Sequence, residues 1–521
     1  MTSALTTESM PKVLLFQKDY TDRLQDRYFV WADGTLREVR AEELARDNAP
    51  FICHDYWLIA RSLFRAGGAL PPNVLDVEDF RVATCGSRNE RKLRERVDIS
   101  KSIAGVGPRS DLLKQYVAMF NRSEPLAATI YEEVASAMLA HWQALEVAAV
   151  QMGEADRYST LEQPVNTYLI RSAVNGIAID QVRLRQHKHN IEHEYHLALK
   201  QFSAKYSMPL EIPHDKDVIE YLGPLGFDFT DVNVDYVIDF VPSEFCADLK
   251  QLKKLANSRQ LLSAIPHSQQ RIHPIVDSFG SITSRIYFKD PSLQNLAKRH
   301  RNIICADEGK SLSYVDYDQY EVGIMAALSE DPVLLTLYSA GDLYQTVSEE
   351  LFSSPLKRKQ AKRLFLSYAY GMNFKSLIDA AVSFGAQRPA ARTFFRGFTV
   401  FENWKLQVWH EFKETGRIGT SLGNYMNRTG QGELSASEKR SAVSQVVQGT
   451  ASLIFKKALL RLSHESAVEL KIPMHDAALV QHAAEYDPAN LVRIFAEVMS
   501  AHLSHRIVGK ASLEAYAPLT T

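Results

Sequence analysis

The stretch SLSYVDYDQYEVGIMAAL, Ser311 to Leu328, changes its hydrophobic period at one acidic residue, and that change most constrains the fold. Up to Asp316 the residues read as a short buried strand. Beyond it Tyr320, Ile324, Met325 and Leu328 recur at helical spacing, so the strand is expected to feed a helix at Asp316. A carboxylate at such a corner serves one of two ends. It caps the helix, or it holds a metal ion over a rigid sheet, where phosphate chemistry is at home. The segment alone leaves both open.

A chain of 521 residues can bury two to four domains, and 45% hydrophobic with 23% charged residues is the composition of a globular protein. No apolar run reaches membrane-spanning length, and MTSALTTESMPK lacks the layout of a secretory signal, so a cytoplasmic protein with no membrane partner is expected. Cys53, Cys85, Cys246 and Cys305 are too scattered for a disulfide framework or a zinc site. The net charge of -2 does not announce a nucleic-acid binder, although local basic clusters exist.

The first 150 residues or so read as a small α/β domain, with strands at Lys12 to Phe16, Arg27 to Trp31 and Asn73 to Val77 and an apolar run from Trp57 to Phe64. RNERKLRER, Arg88 to Arg96, reads as a solvated helix or loop, with nucleic-acid contact as the alternative. A long helix from Leu126 to Met152 is expected to break at Pro164, which marks a domain boundary. Helices follow before Gly176, over Gln181 to Tyr206, and over Leu249 to Ile265, where Lys250, Lys253, Lys254 and Arg259 cluster.

Two further stretches carry chemistry. In KRKQAKRLFLSYAYGMN, Lys357 to Asn373, a helix ends near Gly371 and aligns Arg358, Lys362, Leu366 and Tyr370 at successive fourth positions. Each step advances about 6 Å and turns about 40° past a full circle, giving a slowly winding stripe. Cations at one end and an aromatic at the other suit a nucleoside triphosphate, and a solvated basic face is the alternative. In KIPMHDAALVQH, Lys471 to His482, two short apolar runs flank His475 and Asp476 like a hairpin, which supplies a second carboxylate.

In this order and spacing the three stretches resemble the polymerase motifs of family A DNA polymerases. The family's Asp-Tyr-Ser-Gln-Ile-Glu-Leu-Arg is matched at Asp316, Tyr317, Gln319 and Glu321. Its Arg-x-x-x-Lys-x-x-x-Phe-x-x-x-Tyr-Gly is matched at Arg358, Lys362, Tyr370 and Gly371, and its His-Asp-Glu at His475 and Asp476. FGSITSRIYFKDPSLQNL and QVVQGTASLIFKKA resemble two further family strings. The resemblance covers about 160 to 521.

It implies a mixed α+β right-hand fold of palm, fingers and thumb preceded by an α/β, ribonuclease H-like 3′-5′ exonuclease domain. The expected division is 1–155 exonuclease-like and 156–521 polymerase. Within the latter the thumb falls at about 181–270, the palm at about 271–340 and 430–521, and the fingers at about 341–429. The implied activity is template-directed extension of a primer 3′ end with dNTPs by two-metal nucleotidyl transfer. A single-subunit RNA polymerase or a catalytically impaired primer-template binding protein are the alternatives. Two Mg2+ ions, replaceable by Mn2+, would sit on Asp316, Asp476 and the Tyr317 backbone. Arg358, Lys362, Leu366, Tyr370, Gln319, Glu321 and Tyr344 would contact the dNTP, with Glu321 and Tyr370 excluding a ribose 2′-hydroxyl. Arg285, Gln294, Asn295, Arg440, Gln448, His475, Lys253 and Lys254 would contact primer-template DNA. Helicase, single-strand binding protein and processivity factor are the expected replication partners, and a phage origin without a 5′ nuclease domain the expected context.

Departures from the family pattern are Leu366 for an aromatic, Ala477 for the second acid of the third motif, Gly323 for arginine and Asp318 for serine, with compensation for Ala477 expected if Asp318 turns inward. The first strand ends LLFQKD, with Gln17 and Asp19 where acids are expected and Ala60 where an aspartate is, although Asp55 and Asp76 remain nearby. A degenerate, inactive exonuclease domain is expected.

Overall fold

The computed structural model describes residues 11–22, 25–93, 99–103, 105, 107, 109–120, 127–225, 234–235, 238 and 243–518. The chain divides into two compact units. The first comprises 1–175, 276–287 and 313–514, and the second 176–275, 288–312 and 515–521.

The first unit begins with a five-stranded sheet formed by β1 (Lys12–Gln17), β2 (Arg27–Ala32), β3 (Thr35–Val39), β4 (Phe51–Cys53) and β5 (Val74–Asp76), in the order β3-β2-β1-β4-β5. β1 runs antiparallel to β2 and parallel to β4, and β4 runs parallel to β5. Alternate residues of β1 serve opposite faces. Val13 and Leu15 join one buried cluster with Phe80, Tyr131 and Trp142, while Leu14 and Phe16 join another with Ile59 and Leu63. A sheet covered on both faces explains why its central strand reads as a continuous apolar run.

The helix Ala128–Met152 stops at Gly153, whose φ of +73° closes it, rather than at Pro164. A left-handed residue ends a helix cheaply only where it is glycine. Pro164 instead lies inside an unbroken helical run from 155 to 175, two residues past the π-helical turn Tyr158–Glu162, an irregularity of the kind that accompanies a missing N–H. Of the charged Arg88 to Arg96 segment, Arg88–Leu93 is helical and residues 94–96 lie outside the described residues. Arg91 is buried there, not solvated.

A second sheet in this unit has the strand order Val468–Pro473, Ala477–Ala483, Lys310–Tyr317, Ala511–Glu514. The helices Tyr320–Ser329, Ala436–Leu462 and Ala489–His502 share one buried cluster with it, in which Val315, Ile324, Phe455 and Phe495 are almost without exposure.

In the second unit the helices Gln181–Tyr206 and Glu244–Ala264 pair through Leu184, Ile191, Leu199, Leu249, Leu252 and Leu262, all buried. Arg259 bridges them by bonding Glu192 at 2.8 Å, and its guanidinium lies 5.0 Å from the Tyr195 ring centre. The four cysteines are free, and among the described residues no helix is long and apolar enough to cross a membrane.

Candidate active site

The strand that carries Asp316 runs Lys310–Tyr317, and the helix after it starts at Tyr320 behind Gln319, whose φ is +52°. Asp316 therefore does not cap that helix. The corner is pinned from beneath: the Tyr317 and Tyr320 rings stack at 4.1 Å, Tyr317 lies 4.9 Å from Phe495, and the Tyr320 hydroxyl donates to the Ala451 carbonyl at 2.5 Å. No local pattern announces this stack.

The hairpin forms as expected, with His475 and Asp476 at its tip between the strands Val468–Pro473 and Ala477–Ala483. The Tyr317 amide donates to the Asp476 carbonyl at 3.1 Å, which sets Asp476, in the turn leading into Ala477–Ala483, beside the end of the neighbouring strand that carries Asp316. Asp316 Oδ1 is buried without a hydrogen-bond partner among the described residues. Burial first, then the charges of Asp476, Glu514 and Asp318, push the Asp316 carboxyl up to about 8, and Lys362 opposes them. An orphaned carboxylate oxygen crowded by other acids is what a cation would relieve.

Glu514 was not foreseen. It lies opposite Tyr314 while Ser512 lies opposite Asp316, so the period of two puts Glu514 on the Asp316 face. The alternation in ASLE was its only sequence signal. Ala477 is fully buried. Asp318 takes a hydrogen bond from the Ser512 hydroxyl at 2.9 Å, so its carboxylate is engaged at the sheet edge. Among the described residues no group of three His, Cys, Asp or Glu side chains forms a metal cage. Magnesium tolerates so few protein ligands because it keeps waters and takes oxygens from phosphates, and two carboxylates fit it.

The helix Arg358–Ala369 carries the cationic stripe. Arg358 Nε donates to Asp342 Oδ2 at 2.6 Å, and Arg358 and Lys362 stand 5.6 and 5.5 Å from the Tyr344 ring centre. The other oxygen of Asp342 caps the helix Leu343–Phe352 by accepting from Tyr344 and Gln345 amides. Asp342 was missed, although a Gly-Asp pair before an apolar run is a helix-start signal. Gln319 spends its amide on the same loop, donating to the Gly341 carbonyl at 2.7 Å and accepting from Leu343 N at 2.8 Å. Leu366 is partly buried against the main cluster.

Four of the expected residues meet at one point. Glu321 accepts from the Tyr370 hydroxyl at 2.7 Å and from Arg285 Nη2 at 3.2 Å, and Gln448 Nε2 lies 3.4 Å from the Tyr370 hydroxyl. Burial and the Glu321 carboxylate hold the Tyr370 phenol well above its ordinary range. His475 meets the Tyr287 ring edge-on at 5.5 Å. Arg440 is exposed on the helix that bears Gln448.

The remaining expected DNA contacts belong to the second unit. Gln294 is buried and accepts from Phe288 N at 2.8 Å, Asn295 is exposed, Lys253 is paired with Asp235 at 3.0 Å, and Lys254 is exposed.

At the end of β1, where a nuclease acid was sought, Gln17 donates to the Met119 carbonyl at 2.6 Å. Lys18 is buried, with Nζ donating to the Leu58 carbonyl at 2.7 Å and lying 4.0 Å from Asp26. Asp76 caps the helix Val77–Thr84 and accepts from Tyr56 N at 2.8 Å.

Residues 242–515 match the profile of DNA polymerase family A. The chain is 24% identical over 339 residues to DNA polymerase I of Aquifex aeolicus, covering 59% of this chain and 57% of that one. It is 24% identical over 349 residues to DNA polymerase I of Helicobacter pylori, covering 62% and 39%. It is 27% identical over 253 residues to the thermostable DNA polymerase I of Thermus aquaticus, covering 44% and 30%. The alignments thus span less than two thirds of these relatives. Among solved structures, the POL domain of Pol1 from M. smegmatis, in complex with DNA primer-template and dNTP, superposes with a TM-score of 0.72 at 19% identity. That superposition covers 96% of this chain and 94% of the other, and it establishes the fold.

Proposed function

Since the chain belongs to DNA polymerase family A, we propose that this site is the nucleotidyl-transfer centre of a DNA-dependent DNA polymerase. It extends a primer 3′ end with dNTPs under the direction of a template. The observation that carries the reading is the placement of Asp476, at the hairpin turn, beside the strand end that carries Asp316, with the Lys362 charge acting on Asp316 from the cationic helix.

The primer 3′ hydroxyl loses its proton to solvent and its oxygen bonds to the α-phosphorus of the dNTP as the bond to the bridging oxygen of the β-phosphate breaks, and pyrophosphate leaves. Arg358 and Lys362 hold the triphosphate, exchanging their contacts with Asp342 and the Tyr344 ring for phosphate oxygens. Divalent cations held by Asp316, Asp476 and the Tyr317 carbonyl would neutralise phosphate charge and acidify the primer hydroxyl. Glu321, fixed by Tyr370, fills the space a ribose 2′-hydroxyl would need. Arg285, Gln448 and His475 face the nascent pair and its minor-groove acceptors, which look alike for every correct pair. Gln294, Asn295, Lys253, Lys254 and Arg440 supply further contacts to primer-template DNA, largely to phosphates in the case of the cations.

The N-terminal sheet order supports an exonuclease-like region, and buried Lys18 with Asp76 spent on a cap supports its lack of nuclease activity. A buried ammonium near Asp26 supplies the positive charge that a nuclease would take from a metal ion.

The test is extension of a labelled primer on a mixed-sequence template with Mg2+ and either dNTPs or NTPs. Template-dictated extension with dNTPs, and far less with NTPs, is expected. Comparable use of NTPs would instead mark an RNA polymerase, and duplex binding without extension a binding protein.

A further inference from the structure

Arg91, from the charged Arg88 to Arg96 segment, has no role in the chemistry above. Its guanidinium is buried. Nη1 donates to the Phe279 carbonyl at 3.4 Å and to the Ser281 carbonyl, while Nε and Nη2 meet no hydrogen-bond partner among the described residues. Burial, with Arg157 nearby, lowers the guanidinium to about 10. A cation this sparsely satisfied is costly to bury.

Both acceptors lie on the loop that delivers Arg285. The Phe279 ring is enclosed in the buried cluster of the N-terminal sheet, stacked 6.4 Å from Tyr158, with Lys456 Nζ 4.8 Å from its centre. The Ser281 hydroxyl accepts from the Arg285 amide at 3.1 Å. Ser284 takes a φ of +57°, its carbonyl accepts from the Ser452 hydroxyl at 2.5 Å, and its own hydroxyl donates to Asn424 at 3.2 Å. Arg285 then reaches Glu321 at 3.2 Å. The path from Arg91 to the sugar-excluding group is thus one loop long.

We infer that Arg91 is a positioning residue for Arg285: the N-terminal region contributes the group that orients the Phe279 and Ser281 carbonyls, and with them the direction in which Arg285 leaves the loop. The inference rests on the polymerase reading and gives the N-terminal region a part in primer-template contact that needs no nuclease chemistry. A single guanidinium nitrogen, Nη1, bonds both carbonyls, two residues apart in the chain, and so fixes them relative to one another.

The experiment uses the full chain as wild type, Arg91→Ala, Arg91→Lys, Arg285→Ala and the Arg91→Ala/Arg285→Ala double variant. Hydrogen exchange over 278–287 and extension of a matched primer with Mg2+ and dNTPs are read on each. Arg91→Ala is expected to speed exchange over 278–287 about tenfold while 477–483 keeps its protection. Extension is expected to fall about tenfold in the Arg285 background and less than about twofold on top of Arg285→Ala, with Arg91→Lys intermediate. Unchanged exchange over 278–287, equal losses of extension in both backgrounds, or lost protection throughout the chain would each overturn the inference. If the wild type extends no primer, the polymerase reading fails, while exchange still decides whether Arg91 holds the loop.

Discussion

Glu321 receives a phenol and a guanidinium on its two oxygens, so its carboxylate is held in one orientation before any nucleotide arrives. Glu321→Ala would open the space beside Tyr370, and discrimination against ribonucleotides is expected to fall roughly 100-fold. That corresponds to the 2–3 kcal/mol lost when a buried hydroxyl no longer meets an obstacle or an unpaired neighbour. Glu321→Gln keeps the bulk and should keep most of the discrimination, and competition between dNTP and NTP in single-nucleotide insertion measures both. Asp316 gives a second prediction. Its folded carboxyl titrates at about 8 against an ordinary 3.8, so without metal the folded state holds a proton that the unfolded chain has already released. The stability it contributes is complete below about pH 4 and is lost progressively as pH rises through 8. Thermal melts in chelator should therefore show Asp316→Asn gaining on the wild type between pH 5 and 9, and Mg2+ should flatten the wild-type slope. Parallel pH curves for the two proteins would contradict the assignment.

Among elements, the helix Tyr320–Ser329 explains one departure from the family pattern. A Cβ on Gly323 would lie 2.8 Å from the Tyr338 ring and from Met499 Cε. The flexible methionine can give way, but the ring is buried and fixed, so the arginine usual in the family has no room. Gly323→Ala is expected to cost about 1–3 kcal/mol by overpacking, read from the urea midpoint, with a larger loss for Gly323→Leu. Strand, helix and hairpin around the two aspartates were legible in the sequence because their periods are local and their chemistry is confined to short spacings. The capping reading of Asp316 was also local, and it failed because Gln319 takes the corner in a left-handed conformation that spacing does not reveal. Asp342 lies 16 residues from Arg358, and a charge paired over that distance looks solvated in a linear reading. Arg91 is a longer-range case, with its acceptors 188 and 190 residues away.

For the whole molecule, the N-terminal region is joined by buried charge to the strand Gly423–Asn427 and to the helix Ala436–Leu462. Glu154 accepts from the amides of Asn424 at 2.9 Å and Tyr425 at 2.8 Å, Arg157 donates to the Ala83 carbonyl at 2.7 Å, and Glu162 is shared by Arg157 and Lys456. Desolvation lowers the Lys456 ammonium to about 8 against the pull of Glu162. Lys456→Met leaves Glu162 with a single partner and is expected to destabilise the chain by about 3–5 kcal/mol in urea, whereas Lys456→Met with Glu162→Gln should recover much of the loss. Additive losses would show that the two do not act as a pair. Such a network was invisible in sequence, where Glu162 and Lys456 are ordinary charges 294 residues apart. Rapid-quench insertion of one correct dNTP, with primer-template binding measured on the same samples, tests most directly the site that this framework holds. Asp316→Asn and Asp476→Asn should each slow insertion by at least about 1,000-fold, the several kcal/mol that metal-assisted charge stabilisation supplies, while binding primer-template as the wild type does. Insertion within tenfold of the wild type by either variant would contradict the assignment.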